Sequence, residues 1–175
     1  MAIEFLFNDD EPAVEPIIKY DDEYFMRVAL RQAERAEEQG EVPIGAVAVK
    51  DNVIIGRSYN QVEMLKDATA HAEILVITQA ESCLENWRLD GVTIYVTKEP
   101  CAMCAGAMVN SRIERVVYGL KDPRSGAAGS AMDITGFPGM LHNVQVTGGV
   151  LENECREIIQ RFFKKVRDNK KKQLS

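Results

Sequence analysis

Two short stretches decide the reading of this chain, His71-Ala72-Glu73 and Pro100-Cys101-Ala102-Met103-Cys104. In the second, two thiols follow a proline, a residue that helices tolerate in their first turn, so the pattern predicts a helix opening at Pro100 and running to about Asn110. At a helix start the positive end of the dipole favours thiolates. A thiolate pair suits zinc, and His71 adds a third ligand. Three protein ligands with an open position is the pattern of a catalytic zinc, whereas structural sites usually close with four. Glu73 is poorly placed to bind the same ion but can reach a water at the open position as general base. Other readings of the same residues stand beside this one. The cysteines can form a redox pair or lie buried as plain thiols, and His71 can be a satisfied histidine near the core. Cys83, Cys155 or His142 could also close a structural zinc, although Cys83 and Cys155 are expected on apolar helix faces.

Outward from these motifs the chain alternates helical and extended patterns. From Asp21 to Gln39 the apolar positions Phe25, Val28, Ala29, Ala33 and Ala36 recur at helical spacing, with Asp21 or Asp22 to cap the start and Gly40 to end the helix. Ile44 to Val49 and Val53 to Tyr59 are β-rich runs joined by Lys50-Asp51-Asn52, which predicts a hairpin. Ala70 to Cys83 reads as a helix, Thr93 to Thr97 as a third strand, Arg115 to Tyr118 as a fourth and Val144 to Thr147 as a fifth. The glycine-rich stretch from Gly119 to His142 is expected to be a long irregular excursion, the kind of segment that carries function. Asn153 to about Asp168 completes the pattern with an amphipathic helix. Alternation of this kind implies an α/β sheet layered between helices.

The 175 residues (19.6 kDa) suit one domain, and 46% apolar with 27% charged residues is ordinary globular usage, which excludes disordered and fibrous classes. Residues 1–20 read as an acidic, loosely held extension, 21–168 as the domain and 169–175 as a basic tail. The longest apolar run, Cys101 to Val109, is far shorter than the roughly 18 residues of a membrane helix. Glu4, Asp9, Asp10, Glu11 and Glu15 stand where a secretory signal would be basic and then apolar, so a cytoplasmic protein is expected. Four cysteines without an export signal point away from a disulfide framework. The net charge of -6 hides an asymmetry: Arg161 to Ser175 holds seven Lys or Arg against one acid. A basic arm on an acidic body can track phosphates, although a lysine-rich terminus can also serve solubility alone.

His-x-Glu followed by Pro-Cys-x-x-Cys resembles the signature of the zinc-dependent cytidine and adenosine deaminases, a pattern already well described for base-flipping enzymes. The likeness is wider than the signature. Val42-Pro43-Ile44-Gly45-Ala46-Val47, His71-Ala72-Glu73-Ile74, Val96 to Met108 and Gly126-Ala127-Ala128-Gly129-Ser130 resemble the bacterial tRNA-specific adenosine deaminase family. With Phe162-Phe163 in the last helix, the resemblance covers Asp21 to about Arg167. It implies the three-layer α/β/α cytidine deaminase-like fold with a mixed five-stranded sheet. It further implies one zinc per subunit held by His71, Cys101 and Cys104, Glu73 as proton shuttle, and hydrolysis of the wobble adenosine of a tRNA-Arg anticodon to inosine.

In the same family reading Asn60 hydrogen-bonds the flipped base, Val42, Pro43 and Ile44 wall its pocket, and the Ala72 amide holds the base's polar edge. Asp122 lies near the nucleotide backbone, and Phe162, Phe163, Lys164, Lys165 and Arg167 contact tRNA. A homodimer is implied, with the excursion and the Cys-x-x-Cys helix as candidate contact surfaces. Val166 stands where an arginine is frequent, and Lys98 where an apolar residue is usual. The zinc chemistry alone also fits a free base, nucleoside or nucleotide deaminase of the same superfamily, and a non-catalytic zinc-stabilised RNA-binding module is the alternative of another class.

Overall fold

A computed structural model of the chain describes residues 20–173; residues 1–19 of the acidic extension and the last two of the basic tail lie outside the described residues. Helix α1 (Asp22–Glu38) starts where Asp21 accepts a hydrogen bond from the Tyr24 amide at 2.8 Å, as its N-cap. Strands β1 (Gly45–Lys50) and β2 (Val53–Tyr59) form the expected hairpin. Asp51 and Asn52, both at positive φ, make its two-residue turn in the geometry that matches strand twist. A short helix α2 (Val62–Leu65) follows, then α3 (Ala72–Leu84), β3 (Val92–Lys98), α4 (Ala102–Asn110), β4 (Arg115–Leu120), β5 (Gln145–Gly148) and α5 (Glu152–Gln173).

The sheet order is β2-β1-β3-β4-β5, with β1 antiparallel to both its neighbours and β3, β4 and β5 parallel. Parallel neighbours cannot be joined by a tight turn, which explains two connections. Helix α4 carries the chain from β3 to β4, and the excursion after β4 is long because it must return to the start of β5. Alternation along β1 separates the layers: Ala46 and Ala48 join a cluster with Val76, Ile94, Met108 and Val116 under α3 and α4. Val47 and Val49 join Phe25, Met26, Ala29 and Cys155 under α1 and α5. The fold is therefore the three-layer α/β/α arrangement that the sequence implies. At Gly45 any Cβ would lie 2.1 Å from the Ala29 carbonyl, so glycine there lets α1 settle against β1.

Four sequence expectations need correction. Helix α4 opens at Ala102 rather than at Pro100: Cys101 is its extended N-cap and Pro100 precedes it. Helix α2 is absent from the sequence reading because four residues are too few to show a helical period. The last helix does not stop near Asp168 but continues to Gln173, with Lys170, Lys171 and Lys172 in its final turn, where cations favour the helix dipole. Cys155 is buried in the core as expected, whereas Cys83 is exposed on α3.

Candidate active site

The start of β1, the ends of β2 and β3 and the starts of α3 and α4 meet at one place. His71 is the N-cap of α3 and Cys101 the N-cap of α4, positions usually held by Ser, Thr, Asp or Asn. Neither side chain caps its helix, because the two turn toward each other. Cys101 Sγ lies 3.7 Å from His71 Nδ1 and 3.7 Å from Cys104 Sγ, and Cys104 Sγ lies 3.5 Å from His71 Nδ1. A tetrahedral zinc with Zn–S of about 2.3 Å and Zn–N of about 2.0 Å has ligand-to-ligand edges of about 3.5–3.8 Å, so the triangle fits that ion. Cys83, Cys155 and His142 are not part of this cluster. His142 instead meets the Ile113 carbonyl at 2.6 Å.

The electrostatics favour a thiolate at Cys101. Hydrogen bonds from Cys104 and His71 bring the Cys101 thiol down to about 3. Cys104, donating to Cys101 and buried, is pushed up, and the hydrogen bond to Cys101 raises His71 against the lowering effect of burial. Glu73 sits in the first turn of α3 with its carboxyl raised by burial. Its Oε2 is one of two buried side-chain polar atoms without a partner among the described residues. A buried carboxylate oxygen normally has a donor, so one left open beside the ligand triangle is suited to a water or substrate proton.

Beside His71 opens a cavity of about 310 Å³ lined by Glu41, Val42, Ile44, Asn60, Val62 and Glu63. The structure thus brings Asn60, Val42 and Ile44 to one cavity with His71. Pro43 is buried between Val42 and Ile44, and Ala72, as first residue of α3, offers an amide that has no partner within the helix. The Ala72 carbonyl accepts from Ser58 Oγ at 2.5 Å, which ties the end of β2 to the start of α3.

Two acidic residues missed in the sequence hold this arrangement. The Glu99 carboxylate, buried just before Pro100, accepts from the amides of Asp122 (2.8 Å), Ala128 (3.2 Å) and Ser130 (3.1 Å) and from Ser130 Oγ. It clamps the long loop against the Cys101 turn, where Cys101 and Gly126 also form a β-bridge. A Cβ on Gly126 would meet the Glu99 carboxyl at 2.4 Å, which accounts for glycine there. Glu41 is equally buried, and its partners are described below. A Glu beside Val-Pro or Pro-Cys in a loop looks like any surface charge; only its burial sets it apart.

Asp122 does not line the cavity. It sits on the same clamped loop, ion-paired with Lys98 and accepting from Ser125 Oγ at 2.6 Å. Burial alone would raise its carboxyl; Lys98 and Ser125 outweigh this and lower it below the usual range. Lys98, unusual in the family reading, thus gains a reason to be there as the counter-charge of Asp122. The α5 residues are not brought to the cavity. Phe162 and Phe163 pack edge to face with centroids 5.3 Å apart, Phe162 half-buried and Phe163 exposed, and Lys164 and Arg167 are exposed. Lys165 is engaged with Glu37 at 2.8 Å, beside Arg161 on the same carboxylate, and the pair brings Glu37 down to about 2.

The profile of the MafB19-like deaminases matches residues 20–167. A tRNA-specific adenosine deaminase of Bacillus subtilis is 48% identical over 150 residues, covering 86% of this chain and 93% of that protein. One of Aquifex aeolicus is 48% identical over 147 residues, covering 84% and 97%. A solved structure from work on A-to-I editing by tRNA:A34 deaminases at the wobble position superposes with a TM-score of 0.75 at 47% identity. It covers 77% of this chain and 98% of its own.

Proposed function

Because this chain belongs to the MafB19-like deaminases and to the tRNA-specific adenosine deaminases, we propose that it hydrolyses the wobble adenosine of a tRNA-Arg anticodon to inosine with one zinc per subunit. The observation that carries the chemistry is the His71, Cys101 and Cys104 triangle with the open Glu73 oxygen beside it. When bound there, zinc supplies Lewis acidity that makes water a nucleophile near neutral pH. Glu73 accepts one proton of that water as it attacks C6 of the flipped adenine and passes it to N1, then takes the second proton from the new C6 hydroxyl and delivers it to the departing amine, which leaves as ammonia. Water and adenosine become inosine and ammonia. Asn60, the Ala72 amide and the Val42 to Ile44 wall hold the base while this happens, and Asp122 with Lys98 lies along the nucleotide backbone.

Incubating the zinc-loaded protein with a tRNA-Arg anticodon stem-loop, beside free adenosine, cytidine and guanine, tests this reading. Inosine at the wobble position alone is expected; turnover of a free compound alone would move the protein to base or nucleotide salvage. The α5 lysines supply the phosphate contacts in this reading. Ending the chain at Asp168 removes Lys170, Lys171 and Lys172, and the slope of log affinity against log salt for the stem-loop should flatten by about 2. An unchanged slope would show that the end of α5 does not touch RNA.

The protein acts as a cytoplasmic homodimer in this proposal, with both subunits shaping the tRNA site. Exposed Met103 on α4 and Met132, Phe137, Met140 and Leu141 on the loop provide its apolar contact surface. Sedimentation of a monomer at micromolar concentration would reject it. Among the described residues no helix is long and apolar enough to cross a membrane.

A further inference from the structure

Glu41 is 1% exposed, yet it carries a carboxylate at the cavity wall. Such a group stays buried only when its oxygens are occupied, and here three donors occupy them. Glu41 Oε2 accepts from Asn60 Nδ2 at 3.1 Å and from the Glu63 amide at 3.2 Å, and Oε1 accepts from the Met64 amide at 2.7 Å. The Asn60 backbone is fixed as well, its amide donating to the Ile44 carbonyl at 2.9 Å. A carboxylate only accepts, so the amide nitrogen of Asn60 must face Glu41. That leaves Asn60 Oδ1 and the second Nδ2 hydrogen as the groups it can offer to the cavity. With the carboxamide free to turn over, the same side chain would offer its donor and acceptor in exchanged places, and the match to one base edge would be lost.

We infer that Glu41 is a positioning residue for the deamination: it fixes the orientation in which Asn60 presents its amide to the target base, and through the Glu63 and Met64 amides it holds α2 as a wall of the same cavity. The inference rests on the deaminase reading above. Glu41 touches no substrate in this account and acts through Asn60.

A double-mutant cycle on the zinc-loaded protein tests it, with kcat and KM measured on the stem-loop for wild type, Glu41→Gln, Asn60→Ala and the pair. Glutamine keeps the shape but puts an NH₂ among groups that are all donors. Glu41→Gln is expected to lower kcat/KM about tenfold or more in the wild-type background and less than about twofold once Asn60 is alanine. Zinc content and melting temperature serve as the controls for folding. An equal loss in both backgrounds, or no loss in either, overturns the inference. If Glu41→Gln does not fold, Glu41→Asp keeps the charge while drawing the carboxylate back from Asn60, and the same coupling is expected of it. The wild-type rate on the stem-loop tests the deaminase reading by itself; the coupling can be read on whichever nucleobase substrate the wild type turns over.

Discussion

Glu73→Ala is expected to keep the metal triangle intact and to lose turnover by about 10²–10⁴-fold, the range that a positioned acid–base group contributes. The physical reason lies in one atom. Glu73 Oε2 is buried without a donor among the described residues, next to three side chains that can hold a metal. Removing the carboxylate takes away no metal ligand, so zinc content by elemental analysis should match wild type. It also takes away a carboxyl whose ionised form burial disfavours and one of whose oxygens has no hydrogen-bond partner among the described residues, so the variant should be no less stable. Unimpaired turnover would remove Glu73 from the proton path, and loss of zinc would make it a ligand.

The second large effect concerns the thiolates. Cys104→Ala should abolish turnover and metal binding together, because two ligands do not hold zinc in a site that needs three. Stripping the wild type with a chelator should do the same reversibly. A metal present at about a thousandfold above its dissociation constant stabilises the folded state by about 4 kcal/mol, and for a chain of this size that corresponds to a fall in Tm of about 8–16 °C on removal. Added zinc should restore both Tm and turnover to the stripped wild type and neither to Cys104→Ala. A stripped protein with unchanged turnover would contradict a metal-dependent mechanism.

Most of this architecture is legible in the sequence. The helical spacing from Phe25 to Ala36, the Asp51-Asn52 turn and the Cys-x-x-Cys stretch each encode a local preference strong enough to survive tertiary packing. So does the pairing of His71 with the two cysteines, since soft ligands at two predicted helix starts have few other uses. What was not legible depends on long-range contact. Glu41 and Glu99 become central only because the fold buries them under amides from 63 and 64 or from 122, 128 and 130. Neither partner set leaves a pattern in the neighbouring sequence. Lys98 looked anomalous beside Pro-Cys and is explained by Asp122, across the β3 to β4 pairing. Lys165, expected to contact tRNA, also pairs with Glu37 of α1, a long-range contact that its own stretch of sequence does not announce. Helix α5 outran its expected end because residues 169–173 lack apolar periodicity while their lysines suit a helix C-terminus.

The central claim is hydrolysis of one adenosine in a folded RNA loop, and isotope incorporation tests it most directly. The zinc-loaded protein would be incubated with the tRNA-Arg anticodon stem-loop in water enriched in oxygen-18, and the digested nucleosides weighed by mass spectrometry. The account predicts one heavy oxygen in inosine at the wobble position, none at the other adenosines, and release of one ammonia per inosine. Adenosine left unchanged at that position, or inosine spread over the loop, would contradict it.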